Sequence, residues 1–220
     1  MRKARIHREG RNIIVFTVFL LFAINIPVFL WSKHWVFAVT LVLTAALLCF
    51  VCYFFRNPIR ILKVDNPDFL IAPADGRVVV VEPVEEDEYF HDKRLQVSIF
   101  MSPFNVHANW YPIEGKVIVS EHQSGRHKAA WLPKSSKENE RSLVVIEREN
   151  GQVIALRQVA GAMARRIVTY AKVGAEAKRN THLGFIKFGS RVDLYLPLDA
   201  EMMVDVGDLV VGNQTIIAKL

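Results

Sequence analysis

The sequence predicts a mainly β soluble domain preceded by an N-terminal transmembrane helical hairpin. Two observations support this fold class. Hydrophobic residues make up 51% of the 220 residues, and the excess is concentrated in two uncharged runs near the N-terminus. After residue 70 the sequence changes to short β-branched stretches separated by turn signals, without a helical period of comparable strength. We therefore divide the chain into an anchor at 1–55, a charged, proline-containing linker at 56–70 and a β domain at 71–220.

The two apolar runs extend from Asn12 to Trp31 and from Trp35 to Phe55, with only three residues between them. Each run has about the 20 residues that a helix needs to cross a bilayer core of roughly 30 Å. A secretory signal peptide would have one shorter apolar core followed by a cleavage site with small residues, and neither run fits that pattern. Both runs are apolar on all sides, which favours spanning over the alternative of two helices that lie in the membrane interface.

Basic residues are concentrated at the two outer ends of the hairpin. Arg2, Lys3, Arg5, Arg8 and Arg11 precede the first run, Arg56, Arg60 and Lys63 follow the second, and the connection carries Lys33 alone. The positive-inside tendency therefore places both ends of the hairpin, and with them the β domain, on the cytoplasmic side of the cell (inner) membrane.

The net charge of +6 is explained largely by the basic cluster before the first apolar run. Such a cluster next to a membrane segment is attracted to anionic lipid head groups. Later in the chain there is no long basic stripe interleaved with aromatic residues. The sequence therefore argues against a nucleic-acid partner.

Seven stretches of the β domain have the composition of strands. They are Arg77–Val84, Leu95–Met101, Lys116–Glu121, Ser142–Arg148, Gln152–Val159, Ile167–Lys172 and Phe185–Leu196. The Asn150-Gly151 step between two of them predicts a hairpin with a type I′ turn, in which both central residues have positive φ.

The two ends of the β domain have a similar texture. In Ala72–Val78 and Val204–Thr215, valines alternate with turns that contain Asp-Gly, Gly-Asp or Gly-Asn. This pattern is typical of a lipoyl-like domain, a barrel-sandwich hybrid whose tight turns need residues that tolerate positive φ. A lipoyl or biotin carrier would also need a modifiable lysine at a hairpin tip, and the recognisable turns offer none in that setting.

Three segments contain residues that are suited to chemistry. They are Ala72-Pro73-Ala74-Asp75-Gly76, the run Met101-Ser102-Pro103-Phe104-Asn105-Val106-His107-Ala108-Asn109-Trp110-Tyr111-Pro112, and Gly184-Phe185-Ile186-Lys187-Phe188-Gly189-Ser190-Arg191-Val192-Asp193. Each one alone has an ordinary explanation as a turn, a structural histidine or a common Gly-Ser pair. Their joint occurrence in this order is far more specific.

Together with three further elements, these segments resemble the phosphatidylserine decarboxylase family in its short, membrane-hairpin form. The further elements are Phe54-Phe55-Arg56-Asn57-Pro58 after the anchor, Ala130-Trp131-Leu132-Pro133-Lys134, and Asn139-Glu140-Arg141. The resemblance extends from Phe54 to Leu196. It implies a carboxy-lyase of phospholipid biosynthesis that converts phosphatidylserine to phosphatidylethanolamine and makes its own pyruvoyl cofactor.

The resemblance also implies the roles of particular residues. The chain is cleaved by its own serine between Gly189 and Ser190, which gives a β chain of residues 1–189 and an α chain of residues 190–220 that remain together as a heterodimer. Ser190 becomes the pyruvoyl group that forms a Schiff base with the substrate. His107 matches the histidine that acts in decarboxylation, and Asp75 matches the acidic residue that supports self-cleavage by orienting a base. A higher oligomer is left open.

This chain departs from the longer family members at one important position. They have a second histidine, three residues after the first, that acts as the base in self-cleavage. Here that position is Trp110, and an indole cannot accept a proton. His107 could then serve both steps, or one of the remaining histidines could approach Ser190 in space. Those candidates are His122, His127 and His182.

The substrate-binding residues are less clearly indicated. Arg141, Lys134 and Lys187 are suited to a phosphodiester or a carboxylate, although each could equally be a solvated surface charge. The aromatic and apolar residues of the same elements either line a path for the lipid or belong to the core. They are Trp110, Trp131 and Leu132.

Two other functions compete with this interpretation. One is a membrane-anchored lipoyl-like carrier or binding module without catalysis, and the other is a pyruvoyl decarboxylase of a different serine lipid. We expect no metal, because no paired spacing of histidine and acidic ligands occurs. The Cys-x-x-Cys pair of Cys49 and Cys52 lies within the second apolar run, where small apolar side chains are expected.

Overall fold

The computed structural model describes residues 4–62, 64, 66–125, 139–161, 166–187 and 190–220. The chain forms two compact units, Met1–Ile59 and Arg60–Leu220. The predicted division into an anchor, a linker at 56–70 and a catalytic domain at 71–220 stays a prediction.

The first unit is a pair of helices closed by a short strand pair. It contains β1 (Ala4–Ile6), α1 (Arg8–Trp31), α2 (His34–Phe54) and β2 (Arg56–Pro58). Strand β1 pairs antiparallel with β2. Helix α1 begins after His7, whose Nδ1 accepts a hydrogen bond from the backbone N–H of Glu9 at 3.3 Å and so caps the helix.

The two helices form the predicted hairpin, and polar and aromatic pairs join them. Asn25 Nδ2 donates to Thr44 Oγ1 at 3.1 Å, and the rings of Phe29 and Phe37 meet edge to face at 5.2 Å between centroids. Both helices are long and apolar enough to cross a bilayer, and only 6% and 11% of their most apolar stretches is buried within the protein. Apolar helices that protein does not cover are suited to lipid, so the helices indicate association with a membrane.

The second unit consists of short strands, most of them antiparallel neighbours. They are β3 (Phe69–Ile71), β4 (Gly76–Glu86), β5 (Asp92–Met101), β6 (Ala108–Trp110), β7 (Gly115–Gln123), β8 (Arg141–Glu147), β9 (Val153–Ala160), β10 (Arg166–Thr169), β11 (Glu176–Ala177), β12 (His182–Lys187), β13 (Ser190–Leu196), β14 (Glu201–Met202), β15 (Leu209–Val210) and β16 (Ile216–Lys219). The predicted mainly β domain is thereby confirmed.

These strands form three sheets among the described residues. The largest has the order β11-β7-β8-β9-β13-β5-β4-β15, and two three-stranded sheets have the orders β10-β12-β6 and β14-β16-β3. One apolar core unites them, and it includes Ile99 of β5, Leu156 of β9, Ile186 of β12 and Leu194 of β13. Because β13 lies between β9 and β5, it is a central strand of the largest sheet.

The predicted single strand from Phe185 to Leu196 is wrong. The structure has two strands here, β12 and β13, with different partners: β12 pairs with β10 and β6, whereas β13 pairs with β9 and β5. Both halves are apolar and β-branched enough to be strands, and composition carries no signal for a change of sheet. The cleavage point that the resemblance implies lies between the end of β12 at Lys187 and the start of β13 at Ser190.

The hairpin at Asn150-Gly151 is confirmed, but its predicted turn type is wrong. Gly151 has φ +80°, whereas Asn150 is not among the described residues with positive φ. The backbone N–H of Gly151 donates to the carbonyl of Arg148, and that of Arg148 donates to the carbonyl of Gln152. This is a three-residue loop with a left-handed glycine at its end, a common alternative to the two-residue type I′ turn.

Candidate active site

Ser190 is the first residue of β13 and is fully buried. It is paired with Met101 of β5 on one side and with Ala160 of β9 on the other. Its Oγ lies 3.3 Å from Met101 Sδ, to which it donates a hydrogen bond. A thioether is a weak acceptor, so this contact orients the hydroxyl without removing its proton.

The opposite face of β13 carries a buried layer of charged and polar side chains. The Asp193 carboxylate accepts from Ser98 Oγ at 2.6 Å and from Arg191 Nη2 at 3.2 Å. Tyr195 accepts a hydrogen bond from Arg157, and burial raises the pKa of this tyrosine, so it stays protonated. Because Ser98 and Arg157 precede position 190 in the chain, these contacts join residues on both sides of the predicted cleavage point.

Glu86 completes this layer. It accepts from Arg157 Nη2 at 2.8 Å and from the backbone N–H groups of residues 88–90. Burial alone would raise the pKa of Glu86, but those backbone hydrogen bonds and the charge of Arg157 lower it below the ordinary value. The carboxylate is therefore ionised at neutral pH and stabilises the buried guanidinium.

Asp75 and Ser190 lie at the same end of the eight-stranded sheet. Strand β4 begins one residue after Asp75, and its Arg77 is paired with Phe100 of β5. Ser190 is paired with the next residue of β5, Met101. Asp75 and Ser190 are thus carried by the two strands that flank β5.

The carboxylate of Asp75 is held by Arg60 and by a backbone amide. Arg60 Nη1 and Nη2 donate to the two oxygens at 2.5 and 2.6 Å, and the N–H of Gly212 donates to Oδ1 at 2.8 Å. Both side chains of the ion pair are almost completely buried. Sequence reasoning placed Arg60 only among the basic flanks of the hairpin, and its position close after the Phe54–Pro58 element was the signal that it belongs to the site.

Breaking the Arg60–Asp75 pair is expected to destabilise the second unit. We expect Arg60→Met to lower the free energy of unfolding by about 3–5 kcal/mol, because it leaves a buried carboxylate without its cation. Arg77→Met is the matched control, since Arg77 is exposed and donates to the carbonyl of Gly207. Thermal unfolding in detergent micelles measures both, and equal losses for the two variants would contradict the buried-pair argument.

His107 lies just before β6 and is fully buried. Its Nδ1 is 3.0 Å from the carbonyl oxygen of Asn105, and its own carbonyl accepts from the N–H of Ile186 in β12 at 3.2 Å. The contact with a carbonyl favours a proton on Nδ1, which leaves Nε2 as the nitrogen able to accept a proton. The backbone contact with Ile186 brings His107 to the end of β12, four residues before Ser190 in the chain.

Trp110 is buried, so of the two alternatives for this residue the structure supports the core. Its ring lies under the Arg60 guanidinium at 4.9 Å and against Gly212, and its backbone N–H donates to the carbonyl of Pro73 at 2.9 Å. At the position where the resemblance leads one to expect a second histidine, this chain therefore has an indole that packs on the cation bound to Asp75.

The other candidate bases differ in their surroundings. His182 is half-buried and paired with Trp110, with 5.2 Å between ring centroids. His122 is largely exposed and lies 3.4 Å from Glu140 Oε1. His127 lies outside the described residues. Of the two described candidates, His182 is the one in contact with the motif that contains His107.

Of the three basic residues proposed to bind the substrate, two lie among the described residues. Arg141 Nε donates to Glu88 Oε1 at 2.7 Å, so this guanidinium is joined to the charged layer around Arg157. Lys187 ends β12 and is half-buried. Lys134 lies outside the described residues, as do Gly189, Trp131 and Leu132. A role of Arg141, Lys134 or Lys187 in substrate binding stays a prediction.

Comparisons with known proteins identify the family of this chain. A family model described as phosphatidylserine decarboxylase matches residues 47–218. Curated relatives carry the name phosphatidylserine decarboxylase proenzyme. They include proteins of Bacteroides fragilis, 52% identical over all of this chain and 97% of the relative, and of Phocaeicola vulgatus, 51% identical with the same coverage. A relative from Cytophaga hutchinsonii is 45% identical over 97% of this chain and 98% of its own length.

Proposed function

The chain belongs to the phosphatidylserine decarboxylase family, and on that premise we propose that it decarboxylates phosphatidylserine to phosphatidylethanolamine after cleaving itself at Gly189-Ser190. The observation that carries the proposal is the position of Ser190. This serine is buried and begins a central strand of the largest sheet, whereas Lys187, three residues earlier, ends a strand of another sheet. The proenzyme name of the relatives agrees with processing of this kind.

Self-cleavage requires only the chain and one water molecule. Ser190 Oγ attacks the carbonyl carbon of Gly189, the C–N bond breaks, and the hydroxyl proton passes to the nitrogen, so that an ester replaces the peptide. Loss of the Ser190 Cα proton then breaks the Cβ–O bond, releases the Gly189 carboxylate and leaves a dehydroalanine. This enamine tautomerises to an imine, water displaces ammonia, and a pyruvoyl group remains at position 190.

The surroundings of Ser190 fit a pyruvoyl group. A keto oxygen has the size of the hydroxyl oxygen, and forming it gives up only a weak hydrogen bond to Met101 Sδ. The flanking positions on β5 and β9 are Met101 and Ala160, so no charged side chain occupies the paired positions. When formed, the group binds the substrate's amine and accepts the electrons released as carbon dioxide leaves.

We assign the residues around this position the following roles. His107 transfers the proton that the substrate carbon takes up after decarboxylation. It does so through Nε2, the nitrogen that does not face Asn105. Asp75 acts in self-cleavage, and the hydrogen bonds that it accepts from Arg60 and from the N–H of Gly212 hold its carboxyl group in place. Arg141, Lys134 and Lys187 are candidates for binding the phosphate or the carboxylate of the lipid.

The two chains produced by cleavage should remain associated. Strand β13 begins at the cleavage point, and every one of its residues is paired with β5, with six of them also paired with β9. The buried contacts Ser98–Asp193 and Arg157–Tyr195 add side-chain bonds across the same boundary. Cutting the peptide removes none of these interactions, so we propose a non-covalent heterodimer.

We further propose that both termini and the catalytic unit lie in the cytoplasm, with residues 32–34 at the outer surface. The basic flanks of the hairpin support this orientation. A protease added outside intact cells or right-side-out vesicles is therefore expected to leave the catalytic unit uncut, whereas inverted vesicles should allow digestion. Digestion in intact cells would reverse the orientation.

The proposed activity is tested with the full-length protein in detergent micelles. Carbon dioxide release is measured from phosphatidylserine, with phosphatidylcholine as the control that lacks both a primary amine and a carboxylate. A parallel assay measures carbon dioxide release from an ether-linked serine lipid. Faster release from that lipid than from phosphatidylserine would favour the alternative of a different serine-lipid substrate. Release from phosphatidylserine supports the proposal, and its absence from a cleaved, folded preparation would overturn it.

A further inference from the structure

A chain of buried polar side chains reaches Ser190 from the interior. Asn109 Nδ2 lies 3.8 Å from Met101 Sδ, the same sulfur that accepts from Ser190 Oγ. Asn109 Oδ1 accepts from Gln158 Nε2 at 2.7 Å. Asn109, Gln158 and Ser190 are all fully buried, so these contacts are formed out of reach of solvent.

Two hydroxyl groups form the end of this hydrogen-bond network that is farthest from Ser190. Gln158 Oε1 accepts from Ser142 Oγ at 2.7 Å and from Thr169 Oγ1 at 2.8 Å. Both amide ends of Gln158 are therefore occupied: the oxygen by two hydroxyl donors, the nitrogen by Asn109. This arrangement directs the N–H groups of Asn109 toward the sulfur beside Ser190.

The backbones of the two sheets leave space between them for the side chains of this network. Ser142 and Gln158 are paired on the eight-stranded sheet, while Thr169, Gly184 and Asn109 form one row across the three-stranded sheet. A Cβ atom at Gly184 would lie 2.8 Å from Gln158 Nε2 and 2.4 Å from the carbonyl oxygen of Val168. Glycine at this position thus leaves the space in which the Gln158 amide reaches between the sheets.

Burying side-chain amides removes polar groups from water, which costs free energy that apolar side chains at the same positions would not cost. A polar group in a core must be fully hydrogen-bonded, and replacing a whole network by apolar groups of similar shape is often neutral. The proposed reaction supplies a reason for this network at this place. The nucleophile's neighbour is a methionine, whose three rotatable bonds leave its sulfur poorly fixed without further contacts.

We propose that Asn109 and Gln158 are positioning residues for self-cleavage, which hold the Met101 sulfur against Ser190 Oγ. With the hydroxyl proton directed at the sulfur, the oxygen lone pairs are left for the attack on the preceding carbonyl. Self-cleavage requires this alignment because a small displacement of a nucleophile from its reactive geometry slows a reaction steeply. The inference rests on the proposed self-cleavage.

The central test is Gln158→Met, which keeps the side-chain length but removes both amide ends. We expect the rate of self-cleavage to fall about 10-fold to 100-fold. After cleavage the serine hydroxyl no longer exists, so kcat per cleaved molecule should stay within about threefold of the unsubstituted protein. Cleavage is followed by pulse–chase synthesis into lipid nanodiscs and denaturing electrophoresis.

A core substitution without polar contacts is the matched control. Ile154→Val lies in the same core and lowers stability by about 0.5–1.5 kcal/mol without touching the network. It should cleave at the normal rate. If Gln158→Met folds and cleaves as fast as this control, the positioning role is refuted. If the unsubstituted chain fails to cleave, the proposed function itself is refuted.

A second variant keeps the inference testable if Gln158→Met fails to fold. In Gln158→Glu, burial raises the pKa of the new carboxyl, and its protonated form can donate to Asn109 Oδ1 and accept from the two hydroxyls as glutamine does. Self-cleavage should therefore be near normal at low pH and decline as pH rises, relative to the unsubstituted chain at each pH. Circular dichroism at each pH verifies that the variant is folded, and a flat relative rate would refute the role.

Discussion

Ser190→Ala is expected to remain a single chain of 25.1 kDa without decarboxylase activity. Alanine has no nucleophile, so the acyl shift cannot begin and no pyruvoyl group can form. The substitution removes only one oxygen atom and a weak hydrogen bond to Met101, so β13 should still pair with β5 and β9. We therefore expect complete loss of cleavage and of decarboxylase activity, with little change in the stability of the fold.

Mass spectrometry of the unsubstituted protein provides the comparison. It should show a large piece ending at Gly189 and a small piece of residues 190–220 whose first residue is a pyruvoyl group. Ser190→Thr, which keeps a hydroxyl, should still cleave, although slowly. Active protein that consists of an intact chain with unmodified Ser190 would disprove the pyruvoyl mechanism.

The general fold could be predicted because its signals are local. The two apolar runs became α1 and α2 within four residues at each end, since length and uniform hydrophobicity specify a membrane-type helix. The strands of the β domain were likewise indicated by composition, for example Leu95–Met101 within β5. What composition could not indicate was which strand pairs with which, and so the change of sheet between β12 and β13 was missed.

The candidate site shows a similar division. Asp75, His107 and Ser190 were named through the family resemblance, and the structure brings their motifs to one region through contacts with Met101, Trp110 and Ile186. Their chemical roles stay predictions. Arg60 had only the neighbouring Phe54–Pro58 element as a signal and Gln158 had none, because each contacts the site through a partner that local composition does not reveal. The Arg60–Asp75 pair is 15 residues apart, and Gln158 is 49 residues from Asn109.

His107→Ala is expected to lower decarboxylation by about 10²–10⁴-fold, even in molecules that have already cleaved. The carbon atom that loses carbon dioxide must take up a proton. A buried imidazole whose Nδ1 faces the carbonyl of Asn105 is suited to take up a proton at Nε2 and then pass it to that carbon. Because the effect belongs to a proton transfer, kcat should fall more than KM changes.

The measurement must separate this effect from slower cleavage. The cleaved fraction is counted by mass spectrometry, and carbon dioxide release is expressed per cleaved molecule. His122→Ala is the matched control, since His122 is a largely exposed histidine of β7 that contacts Glu140. We expect that control to retain normal turnover. If cleaved His107→Ala turns over as fast as cleaved His122→Ala, then His107 only supports the backbone contact with Ile186, and the proton must come from another group, of which the half-buried His182 beside Trp110 is the first to test.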